Sequence, residues 1–214
     1  MNQAQHKALN KYLNRETTKA QHPSRQPIKY KHVVEVDKFY RIPDEILARL
    51  PDSVQQCRRQ KSQFAPRVRV TRDAKTGEIK DKIIKIRLDD IEVFCPFKPN
   101  QYDYRISISV VYKYPFDVDG LEEALENGVS QDRRKDRMSY THQDMQLDLT
   151  QIRDPQDPDA EPKHEMEVEL KPERVLEEGR KSLQGMQNHY ESLIGTFLNY
   201  VRALSRAQVG IPQQ

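Results

Sequence analysis

The 214 residues are enough for one domain with its own core. Charged residues make up 32% and apolar residues 36%, so that core is modest, and a net charge of +3 is only a weak sign of an anionic partner. No apolar run approaches the ~18 residues of a membrane span, Met1–His6 has no apolar signal region, and Cys57 and Cys95 lack metal or redox spacing. Buried thiols in a reducing compartment, the cytosol or nucleus, are the expectation.

In chain order, Gln3 to Glu16 reads as a short polar helix with Ala8, Leu9, Tyr12 and Leu13 on one side, followed by a turn-rich break around Pro23. Ile28 to Tyr40 becomes β-like. Pro43 to Gln63 reads as a short helix or loop carrying Ile46, Leu47 and Leu50. Arg67 to Thr71 alternates strictly, turns at Asp73–Gly77, and returns as a long strand from Ile79 to Phe94 with a break near Asp89 and Asp90. Tyr104 to Tyr112 alternates again. Leu121 to Asn127 reads as a helical turn, and a loop runs on to Asp132. Lys135–Thr141 and Met145–Thr150 form a hairpin through His142-Gln143-Asp144. Asp154 to Lys163, with three prolines, is a loop before a last strand, His164 to Leu170. Pro172 then opens one long helix, since proline fits the first helical turn. Leu183, Met186, Tyr190, Leu193, Ile194, Phe197, Val201 and Leu204 form its core-packing stripe. About seven strands in local hairpins and one good helix indicate an antiparallel, β-rich α+β domain, with a closed barrel as one solution.

The last strand carries the strongest chemical signal. Residues two apart share a face of a strand, so Glu165, Glu167 and Glu169 point one way and Met166, Val168 and Leu170 the other. Carboxylates roughly 7 Å apart repel by about 2 kcal/mol per adjacent pair at an effective dielectric of about 20. Such a row is either solvated or faces positive charge, and Mg²⁺ or Mn²⁺ would suit its oxygen donors. The same alternation puts Arg67 with Arg69, Lys85 with Arg87, Arg105 with Ser107 and Ser109, Lys135 with Arg137, and Asp148 with Thr150. Two readings stay open: a solvated mixed-charge face, or the lumen of a barrel that holds a metal and a polyanion together, as phosphoryl transfer requires. The six histidines show no zinc spacing, and no P-loop, dinucleotide fingerprint, nucleophile elbow or RNA-stacking motif occurs.

Three segments taken together resemble a known family: Arg133-Arg134-Lys135-Asp136-Arg137-Met138-Ser139-Tyr140, Gln146-Leu147-Asp148-Leu149-Thr150 and His164-Glu165-Met166-Glu167-Val168-Glu169. They look like the C-terminal half of the fungal RNA 5′-triphosphatases, the β subunits of yeast-type mRNA capping enzymes within the triphosphate tunnel metalloenzymes. Arg67–Thr71, Lys85–Arg87, Tyr102–Ser107 and Phe197–Asn199 are similar to further segments of that family, so the resemblance runs from about His32 to Leu204. It implies an eight-stranded antiparallel β-barrel, the tunnel, with packing helices, spanning 28–209 after an N-terminal helical or flexible segment, 1–27, and before a tail, 210–214.

The implied activity is removal of the γ-phosphate from 5′-triphosphate RNA with Mg²⁺ or Mn²⁺, in the nucleus, off the membrane. The implied partners are that RNA and the mRNA guanylyltransferase, and a homodimer is compatible. By the same resemblance Glu165, Glu167 and Glu169 are metal ligands, and Arg69, Lys85, Lys135 and Arg137 contact phosphates. Asp148 and Thr150 stand at catalytic tunnel positions, and Arg67, Arg87, Arg105 and Arg133 are basic substrate-binding positions.

The chain departs from the family in three places. The family's first strand, whose Glu-x-Glu pair completes the metal site, has no counterpart in this sequence, so seven strands are expected. Val111 stands where a tunnel glutamate is usual, and Gln146 where an arginine is usual. Two alternatives to the RNA enzyme follow: a tunnel-fold subunit that binds a guanylyltransferase or RNA 5′ end without hydrolysis, and an enzyme acting on polyphosphate or free nucleotides.

Overall fold

The computed structural model describes residues 1–60, 67–95, 102–126, 128–157 and 159–206. The side chain of Cys57, the stretch expected up to Gln63, Asn127 and the 210–214 tail lie outside the described residues. Helix α1 (Gln3–Lys19) leads into strand β1 (Lys29–Arg41), the short helices α2 (Asp44–Leu47) and α3 (Asp52–Gln60), and strands β2 (Arg67–Asp73), β3 (Ile79–Val93) and β4 (Tyr104–Lys113). A small hairpin, β5 (Leu125–Glu126) and β6 (Val129–Ser130), precedes β7 (Arg133–His142), β8 (Met145–Arg153) and β9 (Lys163–Leu170), and helices α4 (Pro172–Leu183) and α5 (Tyr190–Arg206) follow. Seven strands form one antiparallel, curled sheet in the order β4-β3-β2-β1-β7-β8-β9. The fold is α+β, a half-barrel with helices on one side, and among the described residues its main sheet has the expected seven strands, with β5 and β6 forming a separate pair.

Alternation sorts the two faces. On the convex side Val68, Val70, Ile84 and Ile86 pack with Ile42, Leu47, Leu50 and Val54 from β1's exit and the two short helices. A second cluster joins Leu9 and Leu13 of α1 to Tyr140, Leu147, Leu149 and Leu204. Helix α1 starts on a reciprocal cap, with the Asn2 side chain accepting the Gln5 amide at 2.8 Å and the Gln5 side chain accepting the Asn2 amide at 2.8 Å. Its Asn10 and Asn14 bracket the Tyr140 hydroxyl, at 3.2 and 2.8 Å. His6 of α1 stacks on His164 of β9 with ring centroids 4.8 Å apart, and both rings are buried. Burial lowers the pKa of each, and for His6 the neighbouring His164 adds to the effect.

Four expectations change. The long C-terminal helix is two helices, because Gly185 adopts φ 67° and closes α4 with the Met186 amide on the Lys181 carbonyl at 2.9 Å and the Gly185 amide on Ser182 at 3.1 Å. Leu183 (91% exposed) and Met186 (54%) fall at this break and are not core. The described part of the stretch expected as a helical turn, Leu121–Glu126, is extended rather than helical. Beyond Asp37, β1 runs past the end of β7, and this stretch satisfies its free backbone: the Arg41 amide donates to Glu122 and the Ala124 amide to Phe39, both at 2.8 Å. The break expected at Asp89–Asp90 is a bulge within a continuous strand. Cys95 is only partly buried.

Candidate functional site

The register places the predicted residues on one face. Glu165 lies opposite Thr150, Glu167 opposite Asp148 and Glu169 opposite Gln146. Thr150 in turn lies opposite Arg137, Arg137 opposite Val33, and Lys135 opposite Glu35. Across β1 the same face continues through Phe39 to Arg69 and Arg41 to Arg67, then from Arg69 through Ile83 to Lys85 and Arg87, and on to Arg105. Every site residue read from the sequence therefore lies on the concave face of one sheet.

Side chains divide that face. Arg137 is held three ways: an ion pair to Asp148 at 3.3 Å, another to Glu167 at 3.8 Å, and its Nε donating to the Thr150 hydroxyl at 3.3 Å. Asp148 and Thr150 are fully buried, so this guanidinium is anchored on one side by groups that cannot move away. Lys135, also buried, pairs with Asp37 at 2.9 Å and Glu35 at 3.5 Å, and Arg133 reaches Asp37 at 3.5 Å. The Thr71 hydroxyl donates to Asp37 at 2.7 Å. Arg67 and Arg133 lie against the Phe39 ring at 4.7 and 5.2 Å, and the Nε of Arg69 is buried without a hydrogen-bond partner among the described residues. On β3 and β4 the arrangement is looser. Arg87 and Arg105 share exposed-side contacts to Asp90 at 3.3 and 3.8 Å, and Lys85 lies exposed opposite Val111.

Glu35 and Asp37 were missed by sequence reading. Glu35-Val36-Asp37 has the same alternation as the glutamate strand, with a hydrophobic residue between two acids, and that was the available signal. Their partners on β7 could not be known without the β1–β7 pairing. Gln146 has a local role: its amide nitrogen donates to both carboxylate oxygens of Asp148, each at 3.1 Å. It thus steadies the acid that holds Arg137, as a cation at this position would, without adding charge.

The donor chemistry of Glu165, Glu167 and Glu169 fits a hard divalent cation. Geometry supplies one wall: among the described residues no three acidic, histidine or cysteine side chains come together as a ligand set. One carboxylate oxygen of Glu167 is 3.8 Å from the Arg137 guanidinium.

A curled antiparallel seven-stranded sheet whose inward face interleaves acids with Lys and Arg defines a half-barrel of the tunnel type. The family model described as mRNA capping enzyme, beta chain, matches residues 1–209, and the chain belongs to that family. It is similar to the mRNA-capping enzyme subunit beta of Schizosaccharomyces pombe, with 31% identity over 212 residues that cover 96% of this chain and 60% of that protein. The corresponding Cryptococcus neoformans protein is 33% identical over 107 residues, 49% of this chain and 24% of its own length. Among solved structures, S. pombe Pct1 RNA triphosphatase in complex with the Spt5 CTD aligns with a TM-score of 0.73 and 27% identity, over 96% of this chain and 69% of that one. The chain thus spans 60% of the S. pombe subunit it matches and smaller shares of the others.

Proposed function

We propose that this chain carries the RNA 5′-triphosphatase activity of mRNA capping: water cleaves the β–γ anhydride of 5′-triphosphate RNA, leaving diphosphate-ended RNA and inorganic phosphate. The observation that carries the reading is Arg137, fixed by Asp148, Thr150 and Glu167 beside a row of glutamates. Phosphoryl transfer depends mainly on positioning and on stabilising charge at the transferred group. Arg137 and Lys135 are held where they can receive phosphate oxygens, and Arg69 offers a buried Nε–H that no described protein group takes. Lys85 completes this phosphate-binding set. Asp148 and Thr150 orient Arg137, and Gln146 orients Asp148. Arg67, Arg87, Arg105 and Arg133 take the outer phosphates. Glu165, Glu167 and Glu169 would hold Mg²⁺ or Mn²⁺, which when bound supplies Lewis-acid neutralisation at the phosphoryl oxygens.

The diphosphate RNA is the natural substrate of a guanylyltransferase, which makes that enzyme the expected partner and the nucleus the expected place of work. An Spt5 C-terminal segment, bound by the S. pombe relative, is a further partner to test.

The test is γ-phosphate release from 5′-triphosphate RNA with Mg²⁺ or Mn²⁺. Glu167→Ala should cost at least ~100-fold, the usual effect of removing one positioned electrostatic element. A second reading, binding without hydrolysis, is favoured by the one-sided arrangement of the carboxylates among the described residues. RNA binding with no release from either protein would select it.

A further inference from the structure

Residues 1–34 carry seven Lys and Arg against one acid, Glu16, a net charge of +6 in a chain whose total is +3. Most of that charge does not belong to the concave face. Lys7, Lys11, Arg15 and Lys19 recur every fourth residue along α1, and all four are exposed. At 3.6 residues per turn they lie opposite the buried His6, Leu9, Leu13 and Ala20. The result is a basic ridge about 18 Å long that winds gently across the outer face, successive cations rising about 6 Å and turning about 40°.

Its surroundings offset only part of that charge. Glu16, the sole acid of α1, is shared by Arg15 at 3.3 Å and Lys19 at 2.9 Å. Asp136, the acid that acts on His6 from the sheet below, is taken by His32 at 2.7 Å. Aromatic rings flank the ridge on both sides. The Arg15 guanidinium lies over Tyr12 at 5.4 Å. On the other side Tyr30, 50% exposed, rests on Tyr140, which is itself bonded to Asn10 and Asn14 of α1. Regularly spaced cations with aromatic and guanidinium planes at the edge suit a single-stranded nucleic-acid backbone, whose bases stack on such planes. The ridge begins where His6 meets His164 on the helix-covered side of β9, and its first cation, Lys7, lies close enough to His164 to act on that ring.

We propose that the outer face of α1 binds the RNA body downstream of the 5′ end, so that the chain grips RNA at a second place outside the concave face. This rests on the RNA-processing reading above, but it needs no triphosphate. Neutralising four phosphates of a single strand contributes about 3 to the slope of log K against log salt.

The experiment measures anisotropy of labelled RNA, short and long, with 5′-hydroxyl and 5′-triphosphate ends, over a salt series. The proteins are the unmodified chain, a Lys7→Gln, Lys11→Gln, Arg15→Gln, Lys19→Gln variant, and a swap variant (Lys7→Arg, Lys11→Arg, Arg15→Lys, Lys19→Arg) that keeps the charge. Long RNA should bind the glutamine variant at least about tenfold more weakly at low salt, with the slope reduced by about 3, whatever its 5′ end. The swap variant should bind as the unmodified chain does, and γ-phosphate release from the short triphosphate RNA should be the same for all three. An unchanged slope and affinity for long RNA would overturn the proposal. So would loss of binding to an acidic peptide with RNA binding intact, which would assign the ridge to a protein partner. Absent γ-phosphate release with the ridge effect intact would count against the triphosphatase reading alone.

Discussion

Lys135 and Arg105 are both cations on inward-facing strand positions, yet the Lys135 side chain is 6% exposed and that of Arg105 is 48%. The difference lies in what stands around them. Lys135 belongs to the half of the sheet made by β1, β7, β8 and β9, where the inward cations Arg133, Lys135 and Arg137 each meet an acid from the next strand and where α1 covers the back. Arg105 belongs to the β3–β4 half, whose far end is exposed on both faces, with Ile91 63% and Ile108 62% exposed. Alternation alone assigns a side chain to a face. Whether that face is a built site or a solvated surface is decided by cross-strand partners that only the register reveals.

The largest expected break in this contrast is Asp37→Ala. It strands Lys135 as a buried, half-paired cation and should cost about 3–5 kcal/mol in urea unfolding. Asp90→Ala, which removes the acid shared by Arg87 and Arg105, should cost less than about 1 kcal/mol because those pairs are exposed. Equal costs would erase the distinction between the halves. Next comes Gln146→Ala, which takes two hydrogen bonds from Asp148. A loss of about 1.5 kcal/mol is expected, and Gln146→Arg should restore both stability and RNA turnover if the role is to steady Asp148.

A smaller effect concerns the covering of the built half. Burial holds His6 and His164 below their ordinary value of 6.5, so the unfolded chain binds more protons than the folded one as acidity rises. Stability from this pair is fully present above that value and is lost as pH falls through it, with a slope of at most about 1.4 kcal/mol per pH unit for each histidine. Thermal melts between about pH 7.5 and 5.5 should show the decline, and His6→Leu should flatten it. A decline of the same steepness in His6→Leu would remove α1 docking as its source.

The strand inventory and the concave site residues were legible from sequence because charges and apolar residues alternate with period two. For Arg67, Arg69, Lys135, Arg137 and the glutamate row, alternation was enough to assign the face, and their expected roles came from the family resemblance. The burial of Asp37 was not legible: its alternation with Glu35 marks a face, but only its pairing with β2 and β7 makes it the buried counter-charge. The C-terminal helix was misread because its apolar period runs on through Leu183 and Met186, while Gly185 between them supplies a left-handed stop. The Leu121–Ala124 stretch became extended to satisfy β1 backbone groups, a demand made by distant residues and invisible in its own sequence.

The measurement that bears most directly on the working role of the built half is γ-phosphate release from 5′-triphosphate RNA by Arg137→Ala and Arg105→Ala, compared at one metal concentration. The anchored guanidinium beside the glutamate row should be worth about 10²–10³ in rate, and the exposed one no more than a few-fold. Similar losses for both, or a rate for Arg137→Ala close to that of the unmodified chain, would contradict the assignment of catalysis to the β1–β7–β8–β9 half.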